Sequence, residues 1–404
     1  MNYGGVVTRG QVILLAGLTV LALLAIDMYL PGLPTLARDL GISVSRAGHS
    51  VSVFLLGIAG GQLLAGPLSD RLGRRPVIIA GVALFLAATI AAALATSFDL
   101  LLAMRLVQAL GACATMVAVR AAVRDRFEQE ESARFFSLLA LIGGITPVLA
   151  PVVGAALLDM GGWRLSFWGM AGVAAALLAT GLKGLRETRS DATRKQAIGE
   201  SPLRAYRSLL GNPRLAGPLL ATLANSGAYF AYVANGAIVF IHGYGLSPGQ
   251  FSLLFALNSI ALIGAAQINR QLLRRRTAPA LLAVSARNAL ILCLLLLAFA
   301  ATEAGGFWTL TLLLFLTVGS VSPVQANAMA TGLSVDPLRA GASAALLGAA
   351  AFAGGAFASW AAGLLYDGAP RALAVVAALC LAGVWASLRL LPRPGTASVR
   401  PDNV

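Results

Sequence analysis

Charge is what this chain has least of. Of its 404 residues only 11% are Asp, Glu, Lys or Arg, while 58% are hydrophobic. A water-soluble protein carries roughly a quarter charged residues, so a soluble surface of this size could not be covered. The net charge of +14 does not mark a nucleic-acid binder, because the basic residues stand at the ends of apolar runs and no soluble basic domain is left over. Cysteine is scarce too. Cys113, Cys293 and Cys380 lie singly inside apolar runs without a Cys-x-x-Cys pattern, which supports neither a metal site nor a disulfide scaffold. The chain lacks a Gly-x-x-x-x-Gly-Lys-Ser/Thr phosphate loop, so nothing in it would drive an ATP-powered pump. Its few polar groups make no paired nucleophile and base, and no cofactor is expected. The first apolar run lacks a small-residue cleavage site, so it reads as a retained span.

What the chain has in abundance is apolar runs of about twenty residues, the length of a membrane-spanning helix. A β-barrel would show instead alternating strands of about ten. The runs fall at 12–34, 47–68, 76–96, 100–122, 133–158, 165–185, 215–241, 249–271, 278–300, 306–326, 340–365 and 370–391. Gly (44 residues) and abundant Ala suit close helix contact in lipid. Arg and Lys choose the side. Arg71, Arg74 and Arg75 follow the second run, and Arg124 and Arg126 the fourth. Lys183, Arg186, Arg189, Arg194, Lys195, Arg204, Arg207 and Arg214 fill the central connection, and Arg270 and Arg274–Arg276 follow the eighth. The alternate connections hold little beyond Arg38, Arg46, Arg164 and Arg371. The sequence therefore predicts an all-α integral membrane protein with both termini cytoplasmic. It divides into two six-helix halves, 1–186 and 215–404, joined by a cytoplasmic linker, 187–214. Each half supplies the other's packing surface, so a monomer is expected.

Asp27 stands in the otherwise uncharged first run, and an ionisable group in hydrocarbon points to a proton, ion or substrate path. Counted at about 1.5 Å per residue, Asp27 and Arg105 fall at similar depth in the outer half of the membrane. Gln108 shares the face of Arg105. The spacing predicts a polar cluster of Asp27, Arg105 and Gln108, acting as a proton-exchanging carboxylate or as a fixed ion pair. A cap on the turn before Pro31 is a further role open to Asp27. The run Gly66 to Pro76 reads as a tight turn just past the second helix. Its Asp70, Arg71, Gly73, Arg74 and Arg75 form either a charged latch between helix ends or a static surface turn. Arg124 and Asp125 are available to the same latch, while Arg120 reads as a side chain snorkelling to phosphate. Arg287 is a path or pairing group, or a sign of a later start to its span. Pro147, Pro151 and Gly154, with Gly143 and Gly144, predict a kinked, closely packed fifth helix, at a gate or as a shaped packing surface. Asn225, Tyr229, Tyr232 and Asn235 form a polar-aromatic stripe in the seventh run. With Tyr29, Asn258, Gln325 and Asn327 they would suit a small amphipathic organic substrate, or hold helices together.

These phrases resemble the major facilitator superfamily over essentially the full length. Gly66 to Pro76 is similar to its cytoplasmic signature, and Arg105-Leu-Val-Gln108-Ala-Leu-Gly111 to its fourth-helix motif, with Ala109 where glycine is usual. Ala150-Pro151-Val-Val-Gly154-Ala155 resembles the antiporter signature, with Ala150 and Ala155 in glycine positions. Ile26-Asp27-Met28-Tyr29-Leu30-Pro31, Val123-Arg124-Asp125, and Trp163-Arg164 with Phe167-Trp168 look like the bicyclomycin/chloramphenicol-resistance group of drug–proton antiporters. The resemblance implies the major facilitator fold and a bacterial inner-membrane location. It also implies export of small organic drugs against proton entry, with Asp27 and Arg105 in coupling. Export or uptake of an endogenous metabolite, amino acid or peptide is the alternative.

Overall fold

The computed structural model describes residues 9–127, 129–188, 201–302 and 306–391. Arg189, Arg194 and Lys195 of the predicted linker, and the chain ends 1–8 and 392–404, lie outside them. The described chain is helical throughout. Its long helices are α1 Arg9–Asp27, α2 His49–Leu72, α3 Arg74–Ala93, α4 Phe98–Arg126, α5 Gln129–Gly161 and α6 Trp163–Gly184. They continue as α7 Pro213–Ala237, α8 Pro248–Leu272, α9 Ala278–Thr302, α10 Gly306–Leu333, α11 Ala340–Leu364 and α12 Arg371–Ser387. Local chemistry starts several of them. The Ser97 side chain accepts the Leu100 N–H at the head of α4, Asn212 caps α7 ahead of Pro213, and Ser247 and Gln250 form a capping box on α8. Such caps contribute about 1 kcal/mol each.

Eleven helices among the described residues are long and apolar enough to cross a membrane. The exception to the twelve expected spans is α7, which has the length (25 residues) but carries Asn225, Ser226, Tyr229, Tyr232 and Asn235. Large apolar side chains such as Leu64, Met160, Leu253, Trp308 and Leu379 point outward, a surface that only lipid would cover favourably.

The first expected span is interrupted. Pro31 and Pro34 cannot donate to the preceding turn, so α1 stops at Asp27 and the chain goes on through a 3-10 turn, Leu30–Gly32, into the short helix Leu33–Asp39. Asp27 is therefore the last residue of its helix. A second correction concerns Gly66–Pro76. The helix α2 continues through Gly66 and Pro67 to Leu72, so Asp70 lies inside it, and the reversal is made at Gly73 alone, at φ 102°. Only glycine adopts that conformation without strain.

Helices α1 to α6 pack against one another, principally α3 and α2 on α4, α3 on α6, and α1 on α4, α5 and α6. Helices α7 to α12 do the same, led by α7 on α11 and α12 and by α10 on α8 and α9. The two sets meet along α2–α11 and α5–α8. At the end of the molecule away from the arginine-rich connections these seams are shut: Ser52 Oγ lies 2.7 Å from Ser359 Oγ, and Ser252 Oγ donates to the Pro151 carbonyl (2.9 Å). At the basic end a cavity of about 620 Å³ separates the halves.

Candidate functional site

Arg105 is wholly buried, and its partners are neutral. Nη1 donates to Gln108 Oε1 at 2.6 Å, and Nη2 to the Ala25 carbonyl at 2.7 Å and Tyr29 Oη at 3.2 Å. The guanidinium also lies 4.3 Å from the Phe54 ring centre and 4.5 Å from that of Tyr29. Each short bond from a charged donor is worth about 1.5–3 kcal/mol, and a desolvated cation–π contact about 2. Together they offset a desolvation penalty of several kcal/mol without a counter-ion. Gln108 passes the chain on, donating through Nε2 to Thr89 Oγ1 (2.7 Å), which donates to the Phe85 carbonyl (2.6 Å). The network ties α4 to α1 and α3.

Asp27 is not part of it. Among the described residues no hydrogen bond or ion pair joins Asp27 to Arg105 or Gln108. The predicted three-residue cluster thus resolves into an Arg105–Gln108–Tyr29 cage and a separate carboxyl group. Tyr29, expected in a substrate cavity, is fully buried, bonded to Ser50 Oγ (3.0 Å) and packed on Phe167. The reason is angular: two residues rotate a helix by about 200°, so as the helix ends Tyr29 turns into the first half and Asp27 toward the second. There Asp27 sits within electrostatic reach of the Tyr229 and Tyr232 phenols on α7. Tyr232 Oη accepts from Asn258 Nδ2 at 2.7 Å, leaving Asn258 Oδ1 buried without a partner among the described residues.

The fifth helix closes this region from the side. Although it contains Pro147 and Pro151, α5 runs unbroken from 129 to 161. A Cβ on Gly154 would fall 1.7 Å from the Met28 carbonyl oxygen, so α5 and the end of α1 touch backbone to backbone next to Asp27. The same kind of approach recurs between Gly354 of α11 and the Leu223 carbonyl of α7.

The other polar residues of the second half are engaged within it. Asn225 Nδ2 donates to the Val321 carbonyl and Gln325 Oε1, Asn235 Nδ2 to the Ala231 and Ser359 carbonyls, and Asn327 exchanges bonds with Asn269. Asn225, Asn235 and Gln325 thus bond across helices. Arg287 is exposed and donates to Asn288 Oδ1 at 3.5 Å.

At the basic end Arg74 is buried between two carboxylates. Its Nη1 lies 2.7 Å from Asp70 Oδ1 and its Nε 2.7 Å from Asp125 Oδ2, with Ser69 Oγ at 3.0 Å. Arg75 donates to the Leu182 carbonyl. Asp125 joins the latch, while its neighbour Arg124 turns into the cavity. Arg71 and Gly66 line the cavity as well. Two members were not evident from the sequence. Glu187 accepts the Arg74 and Arg75 N–H groups (2.9 and 3.2 Å), capping α3 from beyond the end of α6. A Cβ on Gly73 would meet its carboxylate at 2.5 Å. Tyr206, from the short helix Pro202–Leu210, donates to the Leu63 carbonyl at 3.0 Å. That carbonyl is the one Pro67, lacking an N–H, leaves free in α2. A lone acid at the end of a basic stretch was the available signal for Glu187; for Tyr206 there was none.

Residues 15–357 match the Major Facilitator Superfamily profile. The chain belongs to that superfamily. It is a multi-pass membrane transporter, not an enzyme. It is 33% identical over 338 residues to the uncharacterized MFS-type transporter YdgK of Bacillus subtilis (strain 168), covering 83% of this chain and 84% of that one. It is 28% identical over 341 residues to the bicyclomycin resistance protein homolog of Haemophilus influenzae, covering 84% and 85%. Its fold superposes on the crystal structure of a D-xylose-proton symporter with a TM-score of 0.71 at 16% identity, covering 95% and 98%.

In this superfamily member the departures from the usual glycines are accommodated locally. Ala109 replaces a glycine on α4, and the facing residue on α2 is Gly57, where a Cβ would lie 2.6 Å from that of Ala109. Ala150 and Ala155 are buried methyl groups flanking the Pro151–Gly154 contact.

Proposed function

We propose that the chain is a proton-coupled transporter of small organic solutes working by alternating access, with Asp27 as the group that carries the proton. The observation behind this reading is the placement of Asp27. It is buried at a helix end, within electrostatic reach of the Tyr229 and Tyr232 phenols of α7, and has no cation joined to it among the described residues. Such a carboxyl can gain and lose a proton without breaking an ion pair, and any relative movement of α1 and α7 changes its access to water. Arg105 then positions α1, through the Ala25 carbonyl and Tyr29, rather than neutralising Asp27.

The halves 1–186 and 215–404, joined through 187–214, rock about the α2–α11 and α5–α8 seams. With the arginine-rich end assigned to the cytosol, the conformation described is open inward and shut outward. Both termini then lie in the cytosol of a bacterial inner membrane, and one copy suffices.

Two solute classes fit. Export of antibiotics or other drugs against proton entry accords with the name of the Haemophilus relative and with the Pro151–Gly154 signature. Transport of an endogenous metabolite, amino acid or peptide accords equally with the cavity's mixed polar and apolar lining. Purified protein in vesicles with an imposed pH gradient decides between them. Proton release from, or entry into, the lumen on addition of chloramphenicol, bicyclomycin or a metabolite panel gives both the substrate and the sign of coupling. Gradient-independent flux of every compound that moves would reject proton coupling.

A further inference from the structure

The cavity at the basic end has an unbalanced charge lining. Arg71, Arg74, Arg120, Arg124 and Arg339 border it against a single carboxylate, Asp70. Asp70 is already spent on Arg74, which is held by Asp125 as well, and Arg339 is occupied by Asp336 and Ser208. Arg120 and Arg124 are different. Among the described residues neither guanidinium has a hydrogen-bond or ion-pair partner. They are four residues apart on α4, so they lie one above the other on the same face, and that face lines the cavity. Two like charges in this relation repel and destabilise a helix.

Attraction to lipid headgroups suits Arg126 at the very end of α4 but not Arg120. Arg120 lies about 9 Å up the helix from Arg126 and opens into the space between the halves. Beside it the lining turns apolar, with Val117, Ala121, Phe136 and Ala345. A volume of about 620 Å³ is within the usual range for a small-molecule site.

We propose that Arg120 and Arg124 form an anion-accepting site, so that the solute taken up from the inward-open cavity is a small amphipathic organic acid, its carboxylate or phosphate on the guanidiniums and its apolar body on Phe136 and Val117. This rests on the transport reading above and narrows it: lipophilic cations are disfavoured. A guanidinium pair can bind such a group through several short, charge-assisted bonds, and the bound anion cancels the repulsion between them. The same chemistry could come from the headgroup of an anionic lipid entering from the side, and the test separates the two sources.

Full-length protein is placed in nanodiscs of phosphatidylcholine, without a pH gradient. Binding of 1-naphthoate is compared with that of its neutral isostere 1-naphthamide. The site predicts that naphthoate binds at least about tenfold more tightly. The preference should fall to within about twofold in R120Q/R124Q and persist in R120K/R124K. Naphthamide binding retained by the Gln variant shows that it is folded. Equal affinities in the unsubstituted protein overturn the site, as does a preference that survives R120Q/R124Q. Repeating the titration with phosphatidylglycerol in the nanodisc should leave naphthoate affinity unchanged; competitive loss would hand the site to a lipid headgroup and overturn the solute assignment. The D27N variant should keep the preference. Because binding is read without a gradient, failure of proton coupling at Asp27 leaves this result standing, and the reverse holds too.

Discussion

Separation of Asp27 from the Arg105 cage makes a quantitative prediction. Replacing Arg105 by Ala removes two short charge-assisted bonds, to Gln108 Oε1 (2.6 Å) and the Ala25 carbonyl (2.7 Å), and the contacts with the Tyr29 and Phe54 rings. At about 1.5–3 kcal/mol per bond, partly offset by release from burying a cation, the loss should be about 3–5 kcal/mol. Lysine keeps the charge but reaches only one acceptor, so R105K should lose about 2 kcal/mol. The decisive quantity is the coupling. Groups that share no partner give additive effects to within about 0.5 kcal/mol. A double-mutant cycle of D27N with R105A, followed by SDS-titration unfolding in mixed micelles, should therefore show coupling of that size or less. The cycle of Q108A with R105A should show about 1–3 kcal/mol. Breaking one side of a buried ion pair costs about 3–5 kcal/mol. A coupling above about 2 kcal/mol between positions 27 and 105 would therefore refute the separation and restore the fixed pair.

Other consequences follow from single contacts. A Cβ at position 154 has no room against the Met28 carbonyl, so G154A should force α1 and α5 apart. The expected loss is at least about 2 kcal/mol, read in the same unfolding assay, and G143A, where a Cβ meets open space, should be nearly neutral. Removing the Glu187 cap with E187Q should weaken α3 by about 1 kcal/mol, seen as faster hydrogen exchange at Arg74 and Arg75. Burial and the nearby Asp70 carboxylate push the Tyr206 phenol above its usual range. The unfolded chain therefore ionises first, and docking of the Pro202–Leu210 helix should weaken as pH rises above about 10. Hydrogen exchange across that helix should show this loss, and Y206F should abolish its pH dependence.

Most of the architecture was legible because it is written in run length and in arginine placement, two signals that survive without side-chain detail. Helix ends of α2 to α6 and α8 to α12 fall within a few residues of the apolar runs, apart from α10, which carries on to Leu333. The candidate site was legible in its residues and less so in its partners. Asp27 and Arg105 were matched by depth, yet α1 ends at Asp27, and the rotation of about 200° over two residues sends Asp27 and Tyr29 to opposite sides. The latch was placed on a turn beginning at Gly66, whereas Tyr206, distant in sequence, satisfies the carbonyl freed by Pro67 and lets α2 continue. Arg124 and Asp125 are adjacent in the chain and diverge in use, one to the cavity and one to Arg74, a choice fixed by where α3 packs on α4. The stripe on α7 was open to two readings, substrate lining or bonds between helices, and for Asn225 and Asn235 it is carbonyls of other helices that take up the side chains.

The central claim is that a proton moves on Asp27. The most direct measurement is substrate-driven proton flux in vesicles containing the D27N protein, beside D27E and the unsubstituted chain. The account predicts that D27N still exchanges labelled substrate down its gradient but moves no protons with it, and that D27E retains coupled flux. Proton flux in D27N equal to that of the unsubstituted chain, at the same protein density, would contradict it.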